Sequence, residues 1–245
     1  MQMKSTIPER GVPITQPDRQ EASLHGEILL RLRDHVVEGN IPEGARVPER
    51  QLCEMLGISR TPLREALKVL AAEGLIELLP NRGARVRQLS ERDLEELFDV
   101  MAGLESLAGR LACEAITDEE IAGIERLHYE MYGYYLNSDM HGYFTVNQRI
   151  HESIVAAARN ETLRTAYASF AGRIRRVRYS ANFARKRQRW GEAMREHEAI
   201  LDALRRRAGS ELADILFQHL RNKRTAAIEH LAAAGDTAAT TAAGG

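Results

Sequence analysis

Two groups of side chains combine residue type and spacing in a way that implies chemistry. The first is cationic. Arg60, Arg64 and Lys68 recur every four residues in "SRTPLREALKVL", so on a helix they form one ridge. Leu63, Ala66, Leu67 and Leu70 form an apolar stripe on the same helix, displaced from the ridge by about a third of a turn. Such a helix can be held to its domain by leucines while its arginines face outward. A guanidinium fork reaches guanine O6 and N7 together, or grips a phosphate. The second group is ligating. His151, His197 and His219 each fall on the apolar stripe of a different helical pattern, and Asn147 stands one turn before His151 on the same face. Each polar group turned into a core costs about 1–3 kcal/mol if nothing satisfies it. Mutual hydrogen bonds or trapped water would answer that cost. So would a divalent metal, since three neutral imidazoles and one oxygen suit zinc, and also nickel or manganese.

The elements that position these groups follow from period and punctuation. A helix is expected from about Ser23 to Glu38, with Leu24, Ile28, Leu32 and Val36 inward, and Gly39-Asn40 stops it. A second spans roughly Pro48 to Leu56, with Leu52, Met55 and Leu56 inward, and Gly57 ends it. The third, carrying the cationic ridge, begins near Ser59 or Thr61 and runs to Glu73; Thr61 can cap it with Pro62 at the first helical position. "LIELLPNRGARVRQL" alternates apolar and polar residues around a Pro-Asn-Arg-Gly turn, which predicts a β-hairpin. That hairpin adds Arg82, Arg85 and Arg87 with no acid among them. A helix, a tight turn, a second helix and a basic hairpin together make a winged helix-turn-helix, whose second helix enters the major groove.

After Ser90 the period is helical almost to the end. Ser90 with Asp93 and Thr117 with Glu120 read as capping boxes. Helices are expected at about 91–114, 118–137, 140–158, 161–182, 189–207 and 210–232, with breaks at Arg159-Asn160 and Gly209-Ser210. The fold class is therefore mainly α: an N-terminal winged helix-turn-helix followed by an all-helical bundle. Residues 1–21 and 233–245 read as flexible tails, 22–88 as the DNA-binding domain and 89–232 as the all-α domain.

Composition narrows the function further. The 245 residues carry a formal net charge of −1, so any attraction to nucleic acid must come from a local patch. Cys53 and Cys113 are too few for a disulfide framework or a zinc knuckle and read as small buried hydrophobes. No apolar run approaches the ~20 residues that cross a bilayer, and the N-terminus lacks the apolar core of a signal peptide. A cytoplasmic protein without membrane contact is expected. Glu152, Glu196 and Glu198 adjoin the histidines in sequence, but neighbours on a helix point about 100° apart. With no nucleophile motif or Gly-rich phosphate loop, no catalytic residue is assigned, and a metal-dependent hydrolase is the weaker alternative.

The stretch "IPEGARVPERQLCEMLGISRTPLREALKVLAAEGLIELLPNRGARV" resembles the DNA-binding domain of the GntR family of bacterial transcription regulators. The resemblance implies that Arg50, Arg60 and Arg64 are the main DNA-contacting arginines, and that Gly83 is the wing-tip glycine. With Ser59, Thr61, Lys68 and Arg82 these residues make the expected DNA-facing set. It also implies a homodimer on a short palindromic operator. Residues 91–232 resemble the all-helical FCD ligand-binding domain of the FadR type, through "LFDVMAGLESLAGRLA", "YFTVNQRIHESIVAAARN", "REHEAILDALRR" and "HLRNKRTAAIEHL". In metal-binding members an aspartate and three histidines hold the ion. The histidine positions are His151, His197 and His219, and the aspartate position is Asn147, a neutral and weaker ligand. Met101 stands where many relatives have an arginine for a carboxylate, so a carboxylate or other metal-chelating metabolite would be anchored by the ion instead. The expected function is that of a metabolite-responsive regulator, in the sense of a repressor, whose effector shifts the placement of two DNA-binding heads. The remaining alternative is an architectural DNA binder without effector. The basic run Arg173, Arg175, Arg176 and Arg178 is either a solvated face or part of an effector pocket.

Overall fold

The computed structural model describes residues 19–184 and 188–243, with side chains described for 26–177 and 190–233. Three helices and a hairpin come first: α1 (Arg19–Val37), α2 (Glu49–Leu56), α3 (Arg60–Ala72), β1 (Ile76–Leu79) and β2 (Gly83–Val86). The core joining them holds Leu32, Val36, Leu52, Leu63, Leu67, Leu70, Ile76 and Val86, so the leucine stripe of α3 is its centre. Gly57 ends α2 in the left-handed region at φ 67°, where a residue without Cβ turns the chain at little cost. The antiparallel hairpin pairs Ile76 with Val86 and Leu79 with Gly83, and an isolated bridge adds Arg46 opposite Arg85. Gly83 sits at φ +79°, and a Cβ there would lie 2.9 Å from Glu49 Oε1, so backbone and space both call for glycine.

The second body is all helix: α4 (Glu91–Ala115), α5 (Asp118–Leu136), α6 (Met140–Ala157), α7 (Glu161–Ala184), α8 (Gln188–Arg205) and α9 (Gly209–Ala243). Both expected capping boxes form, with Ser90 Oγ accepting from Asp93 N and Thr117 Oγ1 accepting from Glu120 N. Helices α4 and α9 run antiparallel and close together: a Cβ on Gly109 would lie 2.6 Å from Leu216 Cδ1 and 3.0 Å from Leu212 Cγ. Two apolar clusters share the bundle. One joins the end of α4 to α5, α6, α8 and α9 through Ile121, Met131, Ile150, Leu204 and Leu212. The other joins the start of α4 to α7 and the rest of α9 through Phe98, Met101, Tyr167, Ile174 and Leu220.

Several expectations need correcting. Met55 is 48% exposed, because α2 is only two turns long and its single buried stripe is taken by Leu52. Helix α3 is entered through Ser59, with Arg60 first and Thr61 second, and Ser59 makes no side-chain cap bond. Helix α1 starts at Arg19, inside the stretch expected as a tail; residues 1–18 lie outside the described residues, as does the Leu24 side chain. Helix α9 continues past 232 to Ala243, consistent with the high helix propensity of its alanines, and 244–245 lie outside.

Candidate functional site

The cationic surface is built by the first body. Burying Leu63, Ala66, Leu67 and Leu70 to 1% exposure or less turns the opposite edge of α3 outward. Arg50, Ser59, Arg60, Thr61, Arg64, Lys68, Arg82 and Gly83 are all exposed. Arg64 lies 3.5 Å from Glu49, and Lys68 pairs with Glu65 at 2.8 Å. Among the described residues Arg50, Arg60 and Arg82 have no acidic partner, which leaves their charges available for phosphate or base edges. The hairpin arginines divide. Arg82 projects at the turn, Arg85 pairs with Glu77 at 2.7 Å, and Arg87 turns back to Asp93 at 3.6 Å. Arg46 joins Arg82 and Arg85 along a shallow groove beside the hairpin, a cation outside the expected set. Its signal was weak, because a lone arginine in a loop acquires meaning only once the bridge to Arg85 brings it to the wing.

The ligating group lies deep in the bundle. Helix α6 supplies Asn147 and His151, α8 supplies His197 and α9 supplies His219. The four residues are 5%, 1%, 1% and 1% exposed. The ring centroids form a nearly equilateral triangle, 5.2 Å from His151 to His197, 5.1 Å from His151 to His219 and 5.2 Å from His197 to His219. One nitrogen from each ring lies within 4.8 Å of the others. Asn147 Nδ2 lies 2.6 Å from His197 Nε2, a hydrogen-bond contact, so a flip of the amide is needed to bring its oxygen to that place as a ligand. Among the described residues, His151 Nε2 and His197 Nδ1 have no hydrogen-bond partner. Burial, followed by the neighbouring imidazoles His219 and His151, holds His197 well below the usual imidazole range, so it is a neutral donor near pH 7. Hydrogen bonds to Asn147 and Glu196 thus satisfy part of this core, and the three clustered ring nitrogens are a donor set of a kind that fits a divalent cation.

Two acidic side chains complete the surroundings. Glu105 on α4 is 2% exposed, and its Oε2 lies 2.7 Å from His151 Nδ1. Glu196 on α8 reaches across to His219 Nδ1 at 2.7 Å while accepting from Asn222 Nδ2 at 2.6 Å. Neither was legible as a site residue. Glu196 adjoins His197 yet serves a histidine of another helix, and Glu105 lies far from every histidine in sequence. Glu152 points instead to a groove shared by α1, α6 and α7. Met101 is fully buried in the apolar cluster one turn before Glu105, and it brings no cation to the site.

The basic run on α7 has a different task from either one expected. Arg175 donates to Asp34 of α1 at 3.2 Å. Arg176, 6% exposed, donates to the carbonyls of Val36 and Ile41 and lies 3.5 Å from Glu43. Arg173 packs over Phe170 and against Gly74. These arginines hold the DNA-facing body to the bundle. The Arg178 side chain lies outside the described residues.

Comparison with known proteins agrees with both halves of this architecture. Residues 24–86 match the bacterial regulatory proteins of the gntR family, and residues 96–222 match the FCD domain. The chain is 34% identical over 199 residues to the "Probable D-xylose utilization operon transcriptional repressor" of Paenarthrobacter nicotinovorans, covering 78% of this chain and 84% of that one. It is 24% identical over 208 residues to the "HTH-type transcriptional repressor RspR" of Escherichia coli strain K12, covering 84% and 87%. Among solved structures, E. coli McbR/YncC superposes with a TM-score of 0.78 at 22% identity, over 85% of this chain and 98% of that one. A GntR regulator of Rhodococcus sp. RHA1 superposes at 0.68 and 22% identity, over 84% and 98%. Among the described residues no helix is long and apolar enough to cross a membrane. An exposed arginine face on a winged helix-turn-helix, joined to an effector-type helical bundle, makes this chain a member of the gntR family of bacterial regulatory proteins, a DNA-binding transcriptional regulator with an FCD domain rather than an enzyme.

Proposed function

We propose that this regulator acts as a repressor that binds a two-fold operator as a homodimer and senses a small metabolite beside a divalent metal held by Asn147, His151, His197 and His219. The observation that carries the reading is the buried histidine triad with its ligand nitrogens within 4.8 Å, in the same chain as an exposed arginine face. Zinc suits three neutral imidazoles and an amide oxygen, and nickel or manganese would accept the same donors. When bound, the ion would supply a Lewis-acidic position for a carboxylate or other chelating oxygen. That matters here because Met101 offers the effector no charge. The protein's own part is to exclude water and aim the donors. Effector binding would favour a placement of the two heads that mismatches the half-sites, and a coupling of about 1–3 kcal/mol is enough.

The test is mobility shift of the tag-free protein on the DNA upstream of its own gene, with salt, zinc, chelator and candidate carboxylates varied. Affinity should fall as salt rises, and Arg64→Ala should weaken binding and flatten the log–log salt dependence by about one. Salt-independent binding would reject a phosphate-driven interface. DNA affinity indifferent to every chelating metabolite and to metal removal would favour an architectural role instead.

A further inference from the structure

Given the metal reading above, two acidic side chains outside the ligand set acquire a role. The ligands themselves bring no charge: Asn147 is an amide, and the three imidazoles must be neutral to donate. A dication surrounded only by them, at residues this deeply buried, would have little to offset it. Glu105 and Glu196 stand one layer out, each 2.7 Å from the Nδ1 of a ligand histidine. We propose that these two carboxylates are positioning residues for the cation, fixing His151 and His219 as Nδ1–H tautomers and supplying the negative charge that the ligands lack.

The geometry is specific. A carboxylate that accepts a hydrogen bond from Nδ1–H keeps that proton on the ring and leaves Nε2 with its lone pair for the cation, which is the orientation an outer carboxylate layer imposes on ligating histidines. The two acids come from different helices and face different histidines. Glu196 of α8 is hydrogen-bonded to His219 of α9. Glu105 of α4 lies 2.7 Å from Nδ1 of His151 on α6, a short ion-pair contact that needs a small ring rotation to align as a hydrogen bond. Glu196 is itself held by Asn222 Nδ2 at 2.6 Å, so its orientation does not depend on the histidine alone. Glu105 is 2% exposed, a place where a carboxylate is kept only for a cationic or hydrogen-bonding partner. His197 has no such support. Among the described residues its Nδ1 has no hydrogen-bond partner, and its Nε2 lies 2.6 Å from Asn147 Nδ2. The site is thus asymmetric: a carboxylate lies 2.7 Å from Nδ1 of His151 and of His219, hydrogen-bonded in the second case, while His197 is met by the Asn147 amide.

Zinc affinity of the full-length, tag-free protein, measured by competition with a chromophoric chelator, tests this directly. Glutamine keeps the size and the acceptor oxygen but removes the charge. Glu105→Gln and Glu196→Gln should each weaken zinc binding about 10–100-fold, and the double variant should weaken it further. Glu196→Asp, which restores the charge, should recover part of the loss. Glu161→Gln, on an exposed acid paired with Arg164, should change nothing. Far-UV circular dichroism and melting of the metal-free proteins separate this role from a structural one: the metal-free Glu196→Gln variant should match the unaltered protein while its zinc affinity falls. If Glu105→Gln does not fold, Glu196→Gln, at a side chain 22% exposed, decides the matter. Unchanged zinc affinity in the folded variants would overturn this assignment and leave the metal site standing. An unaltered protein that does not take up zinc, nickel or manganese would overturn the metal reading and this assignment together.

Discussion

His128 shows how a single buried side chain sets a pH response. It lies on α5 at 6% exposure, and among the described residues its Nδ1 has no hydrogen-bond partner. Burial pushes its pKa down, while Glu198 and Glu125 pull it partly back and Arg205 opposes them. The unfolded chain therefore takes up this proton first, near pH 6.5. Its contribution to stability is intact above that pH and is lost as the pH falls below it toward the folded value. Urea unfolding between pH 7 and pH 5 should show stability falling with pH, and His128→Leu should flatten that slope. The slope should not vanish, because burial depresses His197 in the same direction. His128 was not distinguishable from the scattered histidines in the sequence, since its burial depends on how α5 meets α8. The DNA-facing arginines were legible, because a surface cation needs only the helical period and an apolar stripe opposite it.

Elements were legible wherever their signals are local. The capping boxes at Ser90 and Thr117, the glycine stop at 57 and the Asn-Arg-Gly turn each act within four residues, and each lies where the sequence placed it. What α7 holds was not local. The carbonyl of Val36 that Arg176 reaches is 140 residues away in the chain. Removing that guanidinium leaves the carbonyls of Val36, in the last turn of α1, and of Ile41, in the loop after it, without their buried donor, a loss of about 1–3 kcal/mol. Arg176→Ala should therefore lower stability by that order and speed amide exchange in residues 34–43, while α5 is unaffected. Equal acceleration throughout the bundle would count against a specific attachment of α7 to the head. Close packing adds a second constraint. Gly109 lets α4 approach α9, and Gly109→Val should cost about 1–3 kcal/mol in overpacking.

For the whole molecule, association of two copies is the proposal most open to test. Helix α4 leaves Val100 and Leu107, two turns apart, 48% and 45% exposed, and Phe217 of the adjacent α9 is 39% exposed. Apolar side chains on neighbouring helices at the bundle surface suit an isologous contact between copies. Leu107→Glu should shift light-scattering mass from two chains toward one and weaken operator binding by at least tenfold, since half-sites would then be read singly. A dimer undisturbed by that change would place the contact elsewhere. By itself the sequence determined the helices, the hairpin, the arginine edge and the inward histidines, because period, caps and turn residues are properties of short segments. Only the tertiary structure decided that three histidines from α6, α8 and α9 meet within 4.8 Å, that Glu105 and Glu196 stand behind two of them, and that the α7 arginines bind the head. Those facts depend on which helices pack together and at what rotation. Distant side chains and their shared burial set both, and no short window of sequence contains them.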